Sequence, residues 1–110
     1  MLLGRQQHEE ASQLYKRLCE GGRKFFCPSH AFGLATGDGI APDRGHARRL
    51  FEETCQYDPK ACSEFGNLYM AGTPRLPRDP EMGSFLLDLA CRYRDAEACR
   101  ELADYRNETR

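Results

Sequence analysis

The chain has almost none of the residues from which β-strands are built. Among its 110 residues there is no valine, a single isoleucine (Ile40) and only four threonines. These β-branched side chains are among those that favour a pleated backbone. Leucine, alanine, arginine and glutamate, which form helices well, are abundant instead. The composition therefore predicts an all-α fold.

The chain also lacks an excess of charge and any long apolar run. Sixteen basic side chains are balanced by 17 acidic ones, so nothing favours nucleic acid or an anionic membrane as a partner. No apolar segment approaches the roughly 20 residues that a membrane-spanning helix needs. We expect no nucleic-acid partner and no membrane insertion, and the oligomeric state stays open.

What the chain does contain is six cysteines in three pairs. The partners are 8, 7 and 8 positions apart, and the first members of the pairs follow each other at intervals of 36. A fixed period of this length is typical of an array of helical hairpins. Only one pairing is local and repeats with the period, and it predicts three disulfides: Cys19 with Cys27, Cys55 with Cys62, and Cys91 with Cys99.

The cysteine content also bears on the compartment. Many cysteines in a short chain favour an oxidising environment, either periplasmic or secreted, with the mitochondrial intermembrane space as an alternative. The first five residues contain too few apolar side chains to form a signal peptide. Three explanations for the lack of a visible leader stay open: the leader is missing from this chain, the chain is a fragment of a longer secreted protein, or the protein is exported by another route.

Helix starts and stops recur along the chain with the same period. An aspartate stands where an N-cap is expected before four predicted helices: Asp43, Asp58, Asp79 and Asp95. Gly37 and Gly72 stand where helices are expected to end. The pattern predicts six helices in three hairpins, at about residues 6–37, 43–72 and 79–106, within a single domain 1–110. Short connections make the two helices of a hairpin antiparallel neighbours.

One helix departs from this pattern. Pro28 follows Cys27 directly, so we expect that helix to begin late, near Cys27, and to end by Gly37. His30 stands where the other units have Phe65 and Leu102. Its C-x2-H spacing from Cys27 suggests zinc, but zinc needs four ligands and the other units have no histidine there. We therefore predict a packed histidine, no metal site and no cofactor.

Two stretches share a spaced pattern of small, apolar and acidic residues. One consists of Ala61, Phe65, Gly66, Tyr69, Gly72, Leu76 and Asp79, and the other of Gly37, Gly39, Ile40, Asp43 and Ala47. The pattern resembles the Sel-1-like repeat, A-x3-L-G-x2-Y-x2-G-x-G-V-x2-D-x3-A, a relative of the tetratricopeptide repeat. A cysteine pair in each unit is similar to the cysteine-rich branch of that family. The resemblance covers about residues 6–106 and implies an α-solenoid of three antiparallel hairpins.

The resemblance also implies a function. Arrays of this kind commonly bind a protein or peptide on their concave face. By analogy with tetratricopeptide repeats, the residues implied to contact that partner are Phe32, Asn67, Met70, Arg100 and Asp104. We expect a non-enzymatic interaction module. Two alternatives are a purely structural fragment of a longer array and the β-lactamase or penicillin-binding activity described for some cysteine-rich members.

The enzyme alternative has no support in the serines of this chain. Class A β-lactamases use the motifs S-x-x-K, S-D-N and K-T-G. None of the four serines has a lysine three positions later, and neither of the other motifs occurs. The C-x-x-C motif of a thioredoxin-like redox site is absent as well. We predict no catalytic residue.

Overall fold

The computed structural model describes residues 5–37, 39–74 and 76–108. Within these ranges the chain forms six α-helices, a single turn of 3₁₀ helix at Lys24–Phe26, and no strand. The helices are α1 (Arg5–Glu20), α2 (Cys27–Thr36), α3 (Arg44–Cys55), α4 (Pro59–Ala71), α5 (Pro80–Arg92) and α6 (Ala96–Glu108). The predicted all-α fold with six helices is confirmed. Residues 1–4, on which the expectation about a leader rests, lie outside these ranges.

The aspartates cap the helices as predicted. Their Oδ1 atoms accept from the backbone N–H three residues later, at 3.0–3.2 Å. The caps are Asp43 on α3, Asp58 on α4, Asp79 on α5 and Asp95 on α6. Each satisfies one of the donors that the first turn of a helix leaves without a partner. Pro59 and Pro80 occupy the first helical positions of α4 and α5, where a missing N–H costs nothing.

Glycines end α2 and α4 at the predicted places. Gly37 and Gly72 have φ values of 76° and 73°, a region that favours glycine. After each glycine the chain turns back onto the helix it has just left. The N–H of Asp43 donates to the carbonyl of Leu34, and the N–H of Asp79 donates to that of Tyr69, both at 2.8 Å. The two connections therefore make the same bond at equivalent places of the predicted repeat.

The start of α2 differs from the other starts. The helix begins at Cys27, as predicted, but no side chain caps it. The 3₁₀ helix precedes it directly, and Pro28 lies in its first turn. No aspartate precedes this helix, so the chain enters it through hydrogen bonds of the backbone. One of these joins the N–H of Phe26 to the carbonyl of Arg23 at 3.1 Å.

By its internal packing the chain divides into two compact units, a first unit at Met1–Thr54 and a second unit at Cys55–Arg110. In the first unit, α1 packs against the 3₁₀ helix and against α2. In the second unit, α4 packs against α5, and α5 against α6. The sequence did not predict this division, which falls inside the predicted hairpin at 43–72.

Two glycines bring α4 and α5 close together in the second unit. A Cβ atom on Gly66 would lie 2.9 Å from Cγ of Leu87, and one on Gly83 would lie 2.7 Å from Sδ of Met70. A Cβ on Gly83 would also lie 2.9 Å from the carbonyl oxygen of Gly66. The backbones of α4 and α5 can approach this closely because neither position carries a side chain.

The second unit has a well-filled core. Several large side chains in it have no exposed surface or almost none: Cys62, Tyr69, Met82, Leu86 and Leu87. In the first unit, the side chains of Ala31, Ala47 and Phe51 are buried completely.

None of the helices in residues 5–37, 39–74 and 76–108 is both long and apolar enough to cross a membrane.

Candidate interaction surfaces

The three predicted disulfides are formed. They join Cys19 to Cys27, Cys55 to Cys62 and Cys91 to Cys99, with Cα–Cα distances of 4.8, 5.7 and 4.8 Å. These separations lie within the usual range for a disulfide. Each bond closes the short corner that leads from one helix into the next. Three disulfides in a chain of this size indicate an oxidising environment.

The first of these corners presents an aromatic side chain to solvent. We call residues 20–26, between Cys19 and Cys27, the Phe25 corner. Phe25 is 81% exposed, the largest fraction among the exposed large apolar side chains described. Its ring and that of Phe26 meet edge to face, with their centroids 5.2 Å apart. The Phe26 ring in turn stacks on that of Tyr15, with centroids 6.2 Å apart. The exposed ring is therefore the outer member of a small aromatic cluster.

The backbone of the Phe25 corner is fixed at both ends. The N–H of Gly22 donates to the carbonyl of Cys19 at 3.1 Å, and the N–H of Arg23 donates to that of Leu18 at 2.9 Å. Gly22 has a φ of 95°, which gives the corner its sharp turn. The disulfide closes the same segment covalently. Phe25 is thus held in solvent by an ordered loop.

Basic residues are concentrated in the sequence just before Phe25. Residues 16–24 contain four basic side chains, Lys16, Arg17, Arg23 and Lys24, and one acidic side chain, Glu20. This segment carries a formal charge of +3 in a chain whose formal net charge is −1. Arg17, Arg23 and Lys24 are exposed. The corner therefore combines an apolar ring with an excess of cations.

The other two corners differ from the first. Tyr57 in the second corner is 52% exposed, and Tyr93 in the third is only partly buried. Both have a hydroxyl group, so their contact with water costs less than that of a phenylalanine ring. Helical periodicity did not predict the Phe25 corner, because the corner lies between two helices. Two adjacent phenylalanines inside a cysteine loop were the feature that could have revealed it.

The residues predicted to bind a partner occupy different environments. On α4, Met70 is 6% exposed and packs against Gly83, whereas Asn67 is partly buried. The Oδ1 atom of Asn67 accepts a hydrogen bond from the hydroxyl of Tyr105 at 3.2 Å. Phe32 on α2 is partly buried. A partner would therefore reach little of Met70 without a change in the packing of α4 on α5.

The two predicted residues on α6 face solvent. Arg100 and Asp104 are exposed, and they are four positions apart, so they share one face of the helix. Ala98 and Leu102 are buried and lie on the opposite side of α6, because successive residues turn by about 100°. Tyr105 connects α6 to Asn67, but the outward face of Arg100 and Asp104 points elsewhere. Within the second unit, Arg100 and Asp104 thus do not share a surface with Asn67, and the roles of all five predicted residues stay predictions.

A depression on the surface of α1 offers no convergent chemistry. It is lined by Glu9, Glu10, Gln13 and Arg17, all from one helix and all exposed to solvent. Exposed side chains of one helix lack the buried setting in which a base activates a nucleophile. The depression therefore gives no support to the enzyme alternative.

His30 is a buried polar residue of the first unit. It is 3% exposed, and neither of its ring nitrogens has a hydrogen-bond partner. The ring meets that of His46 edge to face, with centroids 5.9 Å apart. Burial lowers the pKa of His30, as do His46 and, to a lesser extent, Lys16, while Glu20 acts in the opposite direction. Within the described ranges no three histidine, cysteine or acidic side chains are placed to hold a metal ion.

Comparison with protein-family models, with curated proteins and with solved structures gives no match for this chain. The candidate surfaces therefore stand on the geometry of the chain itself.

Proposed function

We propose that this protein is a non-enzymatic interaction module that binds a protein or peptide partner, with the Phe25 corner as its main contact. The observation that carries this proposal is an 81% exposed phenylalanine on a disulfide-closed loop. Aromatic anchors often dominate the energy of an interface. A loop that is already ordered loses less conformational freedom when it binds. Phe25 combines both properties.

The charge of the corner favours an acidic partner. Arg17 and Arg23 are exposed near Phe25 in the chain, and a guanidinium group can bind a carboxylate through two hydrogen bonds. We propose a partner segment that places an apolar side chain on Phe25 and carboxylates around it. Attraction of this kind speeds association and weakens as salt is added.

We also propose the finer architecture that the family resemblance implied. The helices would form three antiparallel hairpins of the Sel-1-like type, stacked as an α-solenoid. Two observations support a repeat: each corner has a disulfide, and the Asp43 and Asp79 amides make equivalent bonds to the preceding helix. A periplasmic or secreted location fits the disulfides. In this proposal Arg100 and Asp104, on the exposed face of α6, form a second contact region. Phe32, Asn67 and Met70 stay predicted contacts.

Affinity capture with matched variants tests the proposal. The oxidised protein is immobilised and exposed to the extracellular and periplasmic proteins of its source, and bound proteins are quantified by mass spectrometry. Phe25→Ala should reduce capture of a true partner about fivefold or more, which corresponds to the ~1 kcal/mol of a contributing side chain. Tyr57→Ala is the control, because it removes an exposed aromatic from another disulfide corner.

Three outcomes distinguish the Phe25 corner, the outward face of α6 and the enzyme alternative. Loss of capture with Phe25→Ala but not with Tyr57→Ala supports the Phe25 corner as the contact. Loss only with Arg100→Ala and Asp104→Ala would move the contact to the outward face of α6. Capture of no protein, together with turnover of a chromogenic β-lactam by the purified chain, would contradict an interaction module and favour the enzyme alternative.

A further inference from the structure

The first unit contains two neighbouring histidines, one of them buried, that the proposed function does not use. His30 lies on α2 and His46 on α3, with their rings edge to face at 5.9 Å. His30 is 3% exposed and both of its ring nitrogens lack partners, whereas His46 is partly exposed. Protonation of His30 would place a charge in a buried position that offers it no hydrogen-bond acceptor.

The charged groups around His30 come from two neighbouring helices. From α3 it faces His46, and from α1 it is influenced by Lys16 and Glu20. Helix α2 has no other titratable side chain. Its cysteine, Cys27, is held in a disulfide, and its remaining residues are uncharged. Glu20 is the one group that favours a proton on His30. Burial, His46 and Lys16 all oppose that proton, and burial has the largest effect.

The sequence shows that an apolar residue could fill this place. The equivalent positions of the other two predicted hairpins are occupied by Phe65 and Leu102. Leu102 is 4% exposed. A histidine here therefore adds a group that can gain a proton, and it forgoes the favourable burial of a hydrocarbon side chain.

We propose that His30 and His46 form a proton-sensitive joint between α2 and α3, closed while His30 is neutral and opened when it takes up a proton. The disulfide between Cys19 and Cys27 joins the end of α1 to the start of α2. It holds these two helices together in both states. No disulfide joins α3 to α1 or α2. Acid therefore separates α3 from α2 before it separates α2 from α1.

The direction of the pH effect follows from the environment of His30. Its pKa in the folded chain lies below the ordinary value of 6.5, so the open or unfolded chain binds the proton more readily. The closed state is fully favoured above pH 6.5, and this advantage is lost as the pH falls from there through the lowered pKa of the folded state. For one proton, the opening constant rises by up to about tenfold for each pH unit in that window.

The second unit provides a control within the same molecule. All three histidines of the chain, His8, His30 and His46, lie in the first unit. Helices α4 and α5 therefore contain no imidazole that could respond between pH 7.5 and 5. A change confined to α2 and α3 would point to the histidine pair, whereas a uniform change would point to general acid destabilisation.

Hydrogen exchange of backbone amides between pH 7.5 and 5 tests the joint, with rates corrected for the intrinsic pH dependence of exchange. In the wild-type protein, the opening constants of α2 and α3 should rise below pH 6.5 by up to about tenfold per unit, while those of α4 and α5 stay constant. His30→Phe, which introduces the residue found at position 65, should abolish this dependence. His8→Gln, the control, should retain it.

Two results would overturn the proposal: constant opening of α2 and α3 across this pH range in the wild-type protein, or a pH dependence that survives His30→Phe. A direct titration keeps the test decisive if that variant does not fold. In histidine-labelled wild-type protein, the ring signals of His30 should titrate below pH 6.5 together with the loss of amide protection in α3. Titration of His30 at 6.5 or above without that loss would contradict the joint.

Discussion

Helices α4 and α5 of the second unit are held by close packing, whereas α1 and α2 of the first unit are also joined by a disulfide. Gly66 and Gly83 bring the backbones of α4 and α5 together, with Leu87 and Met70 filling the contact. No disulfide joins α4 to α5. The α1–α2 pair instead shares the Cys19–Cys27 bond, and the corner between them exposes Phe25.

This difference connects packing with function. The second unit has many fully buried apolar side chains, so its central contact has little need of a covalent bond. The first unit places a polar histidine in a buried position and a phenylalanine in solvent, and both choices sacrifice hydrophobic stabilisation. A disulfide that closes a loop of eight or nine residues stabilises the folded state by about 2.5 kcal/mol on the chain-entropy estimate. We propose that the covalent bond compensates the first unit for the two side chains to which we assign binding and a response to pH.

The largest effect should come from removing the first disulfide. Replacing Cys19 and Cys27 together by alanine should lower the free energy of unfolding by about 2.5 kcal/mol, measured by chemical denaturation under oxidising conditions. The same double replacement at Cys91 and Cys99 is the comparison, because it leaves the α4–α5 contact intact. If α1 and α2 stay as stable without their bond, packing suffices in the first unit and the contrast between the units disappears.

A smaller loss should follow from adding a methyl group where α4 and α5 meet. Gly83→Ala would put its Cβ 2.9 Å from the carbonyl oxygen of Gly66, and backbone cannot move as a flexible side chain can. We expect a destabilisation of about 1–3 kcal/mol, typical of overpacking, seen as a lower midpoint in thermal unfolding.

Gly45→Ala is the matched control for that substitution. Gly45 is an exposed residue of α3, and an added Cβ would meet nothing closer than 3.7 Å. Alanine should stabilise the helix there by about 0.4–1 kcal/mol. Equal effects of the two substitutions would show that α4 and α5 are not in close backbone contact.

The helix caps should contribute about equally in the two units. Asp43→Ala in the first unit and Asp58→Ala in the second each remove one side-chain acceptor. Both should cost about 1 kcal/mol, and asparagine at either position should restore most of the loss. Circular dichroism during thermal unfolding measures both. A cap that matters in only one unit would add a second difference to the comparison.

Phe25→Ala should have the smallest effect on stability. A side chain that is 81% exposed contributes little to the folded state, so we expect a change within about 0.5 kcal/mol. Phe26→Ala is the comparison, since that ring is partly buried and stacks on Tyr15, and it should cost more. A large loss on replacing Phe25 would make it a structural residue and remove the main reason to propose a binding corner.

Features that depend on neighbouring residues in the chain could be predicted from the sequence. The carboxylate of Asp58 reaches the N–H of Ala61 only three residues later, and Gly72 ends α4 by its own backbone conformation. The disulfides close corners of a few residues and repeat with the hairpin period. Such features involve short loops, so few alternative structures compete with them.

Features that depend on how distant segments pack could not be predicted in the same way. Met70 is buried because Gly83, on the next helix, leaves room for its sulfur. His30 is buried without a hydrogen-bond partner and beside His46 because α2 and α3 meet at that point. The periodic pattern placed Met70 on a helix face but did not show whether that face meets solvent or another helix.

The central claim is that the first disulfide holds the Phe25 corner in place, while α4 is held against α5 without a disulfide, mainly by close packing. Hydrogen exchange on the variant with Cys19 and Cys27 both replaced by alanine tests it most directly. We predict that amides of residues 18–27 and of α2 lose protection, while those of α4 and α5 exchange as in the wild-type protein. Unchanged protection at the Phe25 corner, or equal losses in both units, would contradict the account.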